Sequence, residues 1–248
     1  MRRILQQIKA LKAEGKKGFA ILIDPDKLEV DALPALAARI NAAGIDFVFV
    51  GGSLLLNERI RVLVPALRQV LRPPVILFPG NLNQISPGAD AILFLSLISG
   101  RNPDLLIGNH VVAAPLLKQS GMEVLPTGYM LIDSGRPTSA HYMSNTMPIP
   151  HDKPEIAACT AMAGELLGLQ LLYMDGGSGA ERTISTEMIS AVAGAVEIPL
   201  IVGGGIRNKK QAEAILKAGA DIIVVGNAFE ADAESPLMQD IPALIAQF

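Results

Sequence analysis

Short β-rich apolar runs alternate with longer amphipathic stretches along the whole chain, and that alternation leaves few folds open. The predicted strands are 19–23, 47–50, 75–78, 91–95, 124–131, 171–174, 200–202 and 222–225. Each is a compact run ending in Gly, Asp, Pro or Ser, residues that carry a strand into a loop. Helical patterns fill most gaps, at 31–43, 54–71, 103–120, 154–167, 186–196, 209–218 and 236–248. Asp31, Ser53, Asn102 and Ser185 stand where N-caps are wanted; Gly44, Gly121, Gly168 and Gly219 follow last turns, where a left-handed residue closes a helix. Eight strands with intervening helices predict an α/β protein, a single (β/α)8 TIM barrel over 1–248. An open doubly wound sheet is the rival, because alternation alone does not show closure.

The 248 residues suit one such barrel, and are also enough for two small domains. Half are apolar, aromatics are few and Trp is absent, so the core volume comes mainly from Ala, Leu, Ile and Val. That is the composition of parallel strands covered on both faces. A formal charge of -3 without any basic run argues against a nucleic-acid partner. The lone Cys159 cannot form an internal disulfide, which fits a cytoplasmic protein, and it reads as core within helix 154–167. The start Met1-Arg2-Arg3 resembles a signal peptide, but a continuous apolar core does not follow, so a short amphipathic helix is expected. No stretch approaches the ~20 apolar residues of a membrane span. A mean hydropathy of +0.38 without a span leaves an unusually apolar core or an apolar substrate groove.

Two irregularities stand out. Between Phe78 and Ala91 the chain reads Pro-Gly-Asn-Leu-Asn-Gln-Ile-Ser-Pro-Gly-Ala-Asp, too short and broken for a covering helix. The third helix is therefore expected to be missing or irregular, leaving a notch in the outer ring. Conversely, 128–154 exceeds what a barrel loop needs and has the length of a lid or binding loop.

Three late strands end in glycine: Tyr173-Met174-Asp175-Gly176-Gly177-Ser178-Gly179, Val202-Gly203-Gly204-Gly205-Ile206 and Val225-Gly226-Asn227. Glycine lets backbone N–H groups approach an anion, and a following helix start adds partial positive charge. Each cluster alone reads more readily as a tight turn; three in succession favour a phosphate site. Asp24, in Ile23-Asp24-Pro25-Asp26-Lys27, and Ser53, after Gly51-Gly52, end adjacent strands. A carboxylate and a hydroxyl there suit Mg²⁺ completed by water and diphosphate, or else they cap a turn and a helix. Lys27 either neutralises a diphosphate or is solvated. Asp175 is placed at the same mouth, as a hydroxyl-binding base or a structural carboxylate bonded to loop amides, with Tyr173 facing the same side. His110, placed in a helix, and His141 and His151, placed in loops, lack metal-ligand spacing. The methionines read as gap fillers, with Met143 and Met147 of the long loop able to touch an apolar ligand.

These motifs, with Phe78-Pro79-Gly80-Asn81, Phe94-Leu95-Ser96, Asn109-His110 and Gly203 through Arg207, resemble the geranylgeranylglyceryl phosphate synthase family, which includes bacterial heptaprenylglyceryl phosphate synthases. The likeness runs in order from the first strand to the last, and Ser134-Gly135-Arg136 through Pro148-Ile149-Pro150 looks like the longer-chain branch. The resemblance implies a modified barrel joining a polyprenyl diphosphate to sn-glycerol 1-phosphate with release of diphosphate. It puts Mg²⁺ on Asp24 and Ser53, and glycerol phosphate on Tyr173, Met174, Asp175, Gly176, Gly177, Ser178, Gly179, Gly204, Gly205, Gly226 and Asn227. Asp175 and Lys27 take the catalytic roles. Many relatives carry Glu at the place of Asp175, so its carboxylate is set back by roughly 1.5 Å. The expected partners are the two substrates, copies of the chain in a homo-oligomer, and a membrane surface touched peripherally for product release. A sugar-phosphate isomerase or aldolase needs an acid–base pair or a Schiff-base lysine at a strand end; only Lys27 stands near one. A flavin- or phosphate-binding module without turnover needs only the late glycines.

Overall fold

The computed structural model describes residues 3–226 and 236–248. In chain order the elements are α1 (Arg3–Ala13), β1 (Gly18–Ile23), α2 (Leu33–Ala43), β2 (Phe47–Val50), α3 (Ile60–Val70), β3 (Val75–Leu77), β4 (Ala91–Leu97) and α4 (Asn109–Ser120). Then follow β5 (Glu123–Leu131), α5 (Ser139–Ser144), α6 (Pro154–Leu166), β6 (Leu171–Asp175), α7 (Thr186–Ala193), β7 (Leu200–Gly203), α8 (Lys209–Lys217), β8 (Ile222–Val225) and α9 (Leu237–Ile245). All eight strands pair in parallel with their sequence neighbours, and β1 also pairs with β8. The sheet is closed, so the doubly wound alternative falls.

Alternation along the strands sorts their side chains into two cores. Phe47, Phe49, Ile76, Leu93, Leu125, Tyr173, Ile201 and Val224 fill the barrel. Their neighbours in sequence, among them Val48, Val50, Leu77, Ile92, Met174, Val202 and Val225, pack outward with the helices. At the N-terminal end α1 joins the inner core through Ile4, Leu5 and Ile8. The backbone N–H groups of Ile4 and Leu5 donate to the Glu123 carboxylate at 2.8 and 2.9 Å, a negative charge at the positive end of the helix. With that end plugged, the loops at the strand C-termini are left for chemistry.

The third crossover holds only a single 3₁₀ turn, Leu82–Gln84. Asn81 starts it, its side chain accepting from the Asn83 N–H, and Pro87 and Gly88 stop it. The outer ring is open at this point, as the broken sequence predicts.

Several local expectations need correction. Helix α3 begins at Ile60, not after Ser53, because residues 51–59 are drawn into contact with neighbouring loops. Asp31 lies inside a short 3₁₀ turn ahead of α2 and makes no cap. Cys159 is exposed, since α6 buries the face bearing Ala157, Ala161 and Gly164. His141 lies in α5 rather than in a loop, and β5 extends through the start of the supposed long loop. Ser185 does cap α7, accepting from the Met188 N–H at 3.2 Å.

Candidate active site

The first three strands deliver one side of the mouth. Asp24 follows β1; its Oδ1 accepts from the Asp26 N–H at 3.0 Å, and its Oδ2 lies 3.5 Å from the Lys27 ammonium. After β2, Gly51 has φ +154, and a Cβ there would sit 2.0 Å from the Phe78 carbonyl oxygen. Only glycine permits that approach. It brings the next residues beside β1: a Cβ on Gly52 would lie 3.9 Å from Asp24 Cγ. Asp26 Oδ2 accepts from the Leu56 N–H at 2.5 Å, tying the first loop to the second. Ser53 thus sits in a fixed loop, well ahead of α3, and lines the same cavity as Asp24 and Lys27. Asp24 caps a turn, as its plainer reading holds, yet its second oxygen remains turned to a cation.

Strands β5 to β8 deliver the other side. Asp175 ends β6, and the residue is 8% exposed. Oδ2 accepts from the Tyr129 hydroxyl at 2.6 Å and Oδ1 from the Gly177 N–H at 2.7 Å. Burial pushes the Asp175 pKa above the ordinary carboxylate value, while those two bonds oppose the rise. Burial, reinforced by the Asp175 charge, pushes the Tyr129 and Tyr173 phenols well above theirs, so both remain protonated. Below them lies an aromatic floor, with Phe78 stacked on Tyr173 at 4.9 Å between centroids.

The late glycine loops abut one another. Gly204 has φ +91, and a Cβ there would meet the Gly176 nitrogen at 2.7 Å. Arg136 and Arg207, both exposed, take the carbonyls of this turn: Arg136 Nε donates to Gly179 O at 2.9 Å, and Arg207 donates to Ala180 O at 2.5 Å and Glu181 O at 3.1 Å. The N–H groups of Gly179, Gly204, Gly205 and Gly226 donate to no described atom, which is the arrangement an incoming anion requires. Ser178 and Gly226 line the cavity with Asp175. Met174 points its side chain into the outer core, because alternation turns it away from the mouth; only its backbone lies near the site. Asn227 lies outside the described residues.

A cavity of about 390 Å³ starts at Asp24, Ser53 and Asp175 and continues to Leu82, Ile85, Ile92 and Phe94. Because Ile92 belongs to the outer core, this cavity leaves the barrel axis and runs through the gap left by the third helix. Met143 lines it, whereas Met147 lies beside a separate surface hollow. His110 lines it too, its Nε2 3.1 Å from Ser96 Oγ and its ring edge-on to Phe94; burial lowers its pKa and keeps it neutral at pH 7. Among the described residues no three His, Cys, Asp or Glu side chains gather as a metal site. Sequence reasoning missed Tyr129 and Gln84. Tyr129 pairs in register with Tyr173, so extending the alternation along β5 would have placed it inside; nothing in the broken 79–90 segment marked Gln84.

The fold and site define a closed (β/α)8 barrel with glycine-rich late loops and an apolar side channel at its mouth. This chain belongs to the PcrB family, whose profile matches residues 11–243. It is 55% identical to geranylgeranylglyceryl phosphate synthase of Spirosoma linguale over 96% of this chain and 94% of that one. The crystal structure of the (S)-3-O-geranylgeranylglyceryl phosphate synthase of Thermoplasma acidophilum, in complex with its substrate sn-glycerol-1-phosphate, superposes with a TM-score of 0.93 at 31% identity, covering 100% of both chains. The wild-type enzyme of Thermoplasma volcanium gives 0.88 at 34% identity, covering 98% of this chain and 96% of that one.

Proposed function

We propose that the protein is a prenyltransferase joining geranylgeranyl diphosphate to the 3-hydroxyl of sn-glycerol 1-phosphate, forming an ether and releasing diphosphate. One observation carries this reading: Ser178 and Gly226 of the late glycine loops, the buried Asp175, and Asp24 with Ser53 line one cavity, and apolar residues continue it. The names and close identity of the relatives support it.

The glycine N–H groups after β6, β7 and β8 hold the glycerol phosphate. Its 3-hydroxyl then stands at Asp175, which takes the proton as that oxygen attacks the allylic carbon. The carbon–oxygen bond to diphosphate breaks, and its electron pair leaves with diphosphate. Tyr129 fixes the orientation of the carboxylate through Oδ2. The aromatic floor excludes water from the allylic centre. Asp24 and Ser53 suit Mg²⁺: they offer two hard oxygens from adjoining loops, and this ion takes few protein ligands when substrate phosphates supply the rest. Bound there, it supplies charge neutralisation for the leaving diphosphate, which Lys27 shares. A longer, heptaprenyl donor is the second reading, and the sequence likeness at 134–150 favours it. The exposed apolar residues Ile107, Val111, Val112 and Leu116 support a homo-oligomer or peripheral contact with a membrane surface during product release.

The test is Mg²⁺-dependent incorporation of labelled glycerol 1-phosphate into organic-extractable product, with farnesyl, geranylgeranyl and heptaprenyl donors. Wild type should be active and Asp24→Ala at least 100-fold weaker. Activity that survives chelation and Asp24→Ala would remove the diphosphate half of the assignment.

A further inference from the structure

Gln84 is 1% exposed, yet it stands in a single turn where the sequence has no helix to bury it. Its carboxamide is spent entirely on backbone. Oε1 accepts from the Gly52 N–H at 3.3 Å and the Gly80 N–H at 3.1 Å; Nε2 donates to the Gly52 carbonyl at 2.7 Å. Both hydrogen-bonding groups of Gly52 are therefore held by one side chain. The two loops it joins are in backbone contact, since a Cβ on Gly80 would lie 2.3 Å from Gly52 O. Only a carboxamide of this length offers an acceptor and a donor side by side; ionised Glu lacks the donor, and Met lacks the donor and has only a weak acceptor. The residue held in this way immediately precedes Ser53 and lies against Asp24.

We propose that Gln84 is a positioning residue for the cation and diphosphate half of the site, acting through the Gly52–Ser53 backbone. This rests on the function proposed above. The absent third helix then has a second use: besides opening the channel, the turn in its place reaches inward and fixes the hydroxyl that must meet the cation. A serine hydroxyl is a weak neutral ligand, so its contribution depends on being held in place before the ion arrives.

Mn²⁺ binding in the presence of inorganic diphosphate, followed by electron paramagnetic resonance, reads this without turnover. Gln84→Met should weaken that binding about tenfold. It should also raise the KM for prenyl diphosphate about tenfold at limiting Mg²⁺, while the KM for glycerol phosphate stays within twofold. Gln84→Asn, too short to span both loops, should do the same if the Met variant folds poorly. In Ser53→Ala the further change Gln84→Met should cost nothing more, because the two act on one ligand. Multiplied losses in the double variant, or equal losses for both substrates, overturn the proposal. A wild type that binds no Mn²⁺ with diphosphate sinks the function and this inference together; one that does, matched by Gln84→Met, sinks this inference alone.

Discussion

Asp175 combines two demands that pull against each other. To accept a proton it must be ionised, and burial disfavours that form. Its folded pKa is raised, so the folded state holds the proton more tightly than the unfolded chain. The stability from this group is present below the ordinary carboxylate pKa and is lost as pH rises through the raised one. Asp175→Asn should therefore melt higher than wild type at pH 8, with the gap closing as pH falls toward about 4, while turnover drops by roughly 10²–10⁴. Thermal melts across pH check the first part; an Asn variant less stable at pH 8 would refute it. Tyr129→Phe leaves Oδ2 of that carboxylate without its partner, at a cost of about 1–3 kcal/mol in unfolding free energy. The placement of Asp24, Ser53 and Asp175 at one mouth was legible from strand ends alone. Tyr129 and Gln84 were not, because their partners lie 46 and 32 residues away.

Loops and the missing helix divide the labour of the site. Gly204→Ala forces a Cβ against the Gly176 nitrogen and strains a backbone at φ +91, which costs of order 1–3 kcal/mol. The affinity for glycerol phosphate should fall tenfold or more, with the prenyl donor little affected, as calorimetric titration of the phosphate alone will show. In the notch, Ile85→Trp or Leu82→Trp fills the channel where it leaves the barrel. Long donors should lose far more activity than farnesyl diphosphate; equal losses would place the tail elsewhere. Pro87, Gly88 and a short span made the absent helix visible in the sequence. The same gap was legible as the exit of an apolar channel; its walls were not, because they depend on Ile92 facing outward beside Phe94 and Leu82.

The whole barrel separates stability from chemistry along its axis. Ile8 is fully buried in the plug formed by α1, so Ile8→Ala should cost about 2–5 kcal/mol while leaving both KM values unchanged. Urea unfolding alongside kinetics measures this, and a changed KM would show that the two ends communicate. Alternation of strand and helix patterns was enough to specify eight parallel strands with covering helices, and glycine at the late strand ends marked the end suited to an anion, because local periodicity and turn chemistry are written in neighbouring residues. Closure of β8 onto β1, the exposure of Cys159, the outward turn of Met174 and the loop that keeps Ser53 from capping α3 came from packing among segments distant in sequence. Those contacts depend on register and on which face each element buries, and no single stretch of chain carries that information.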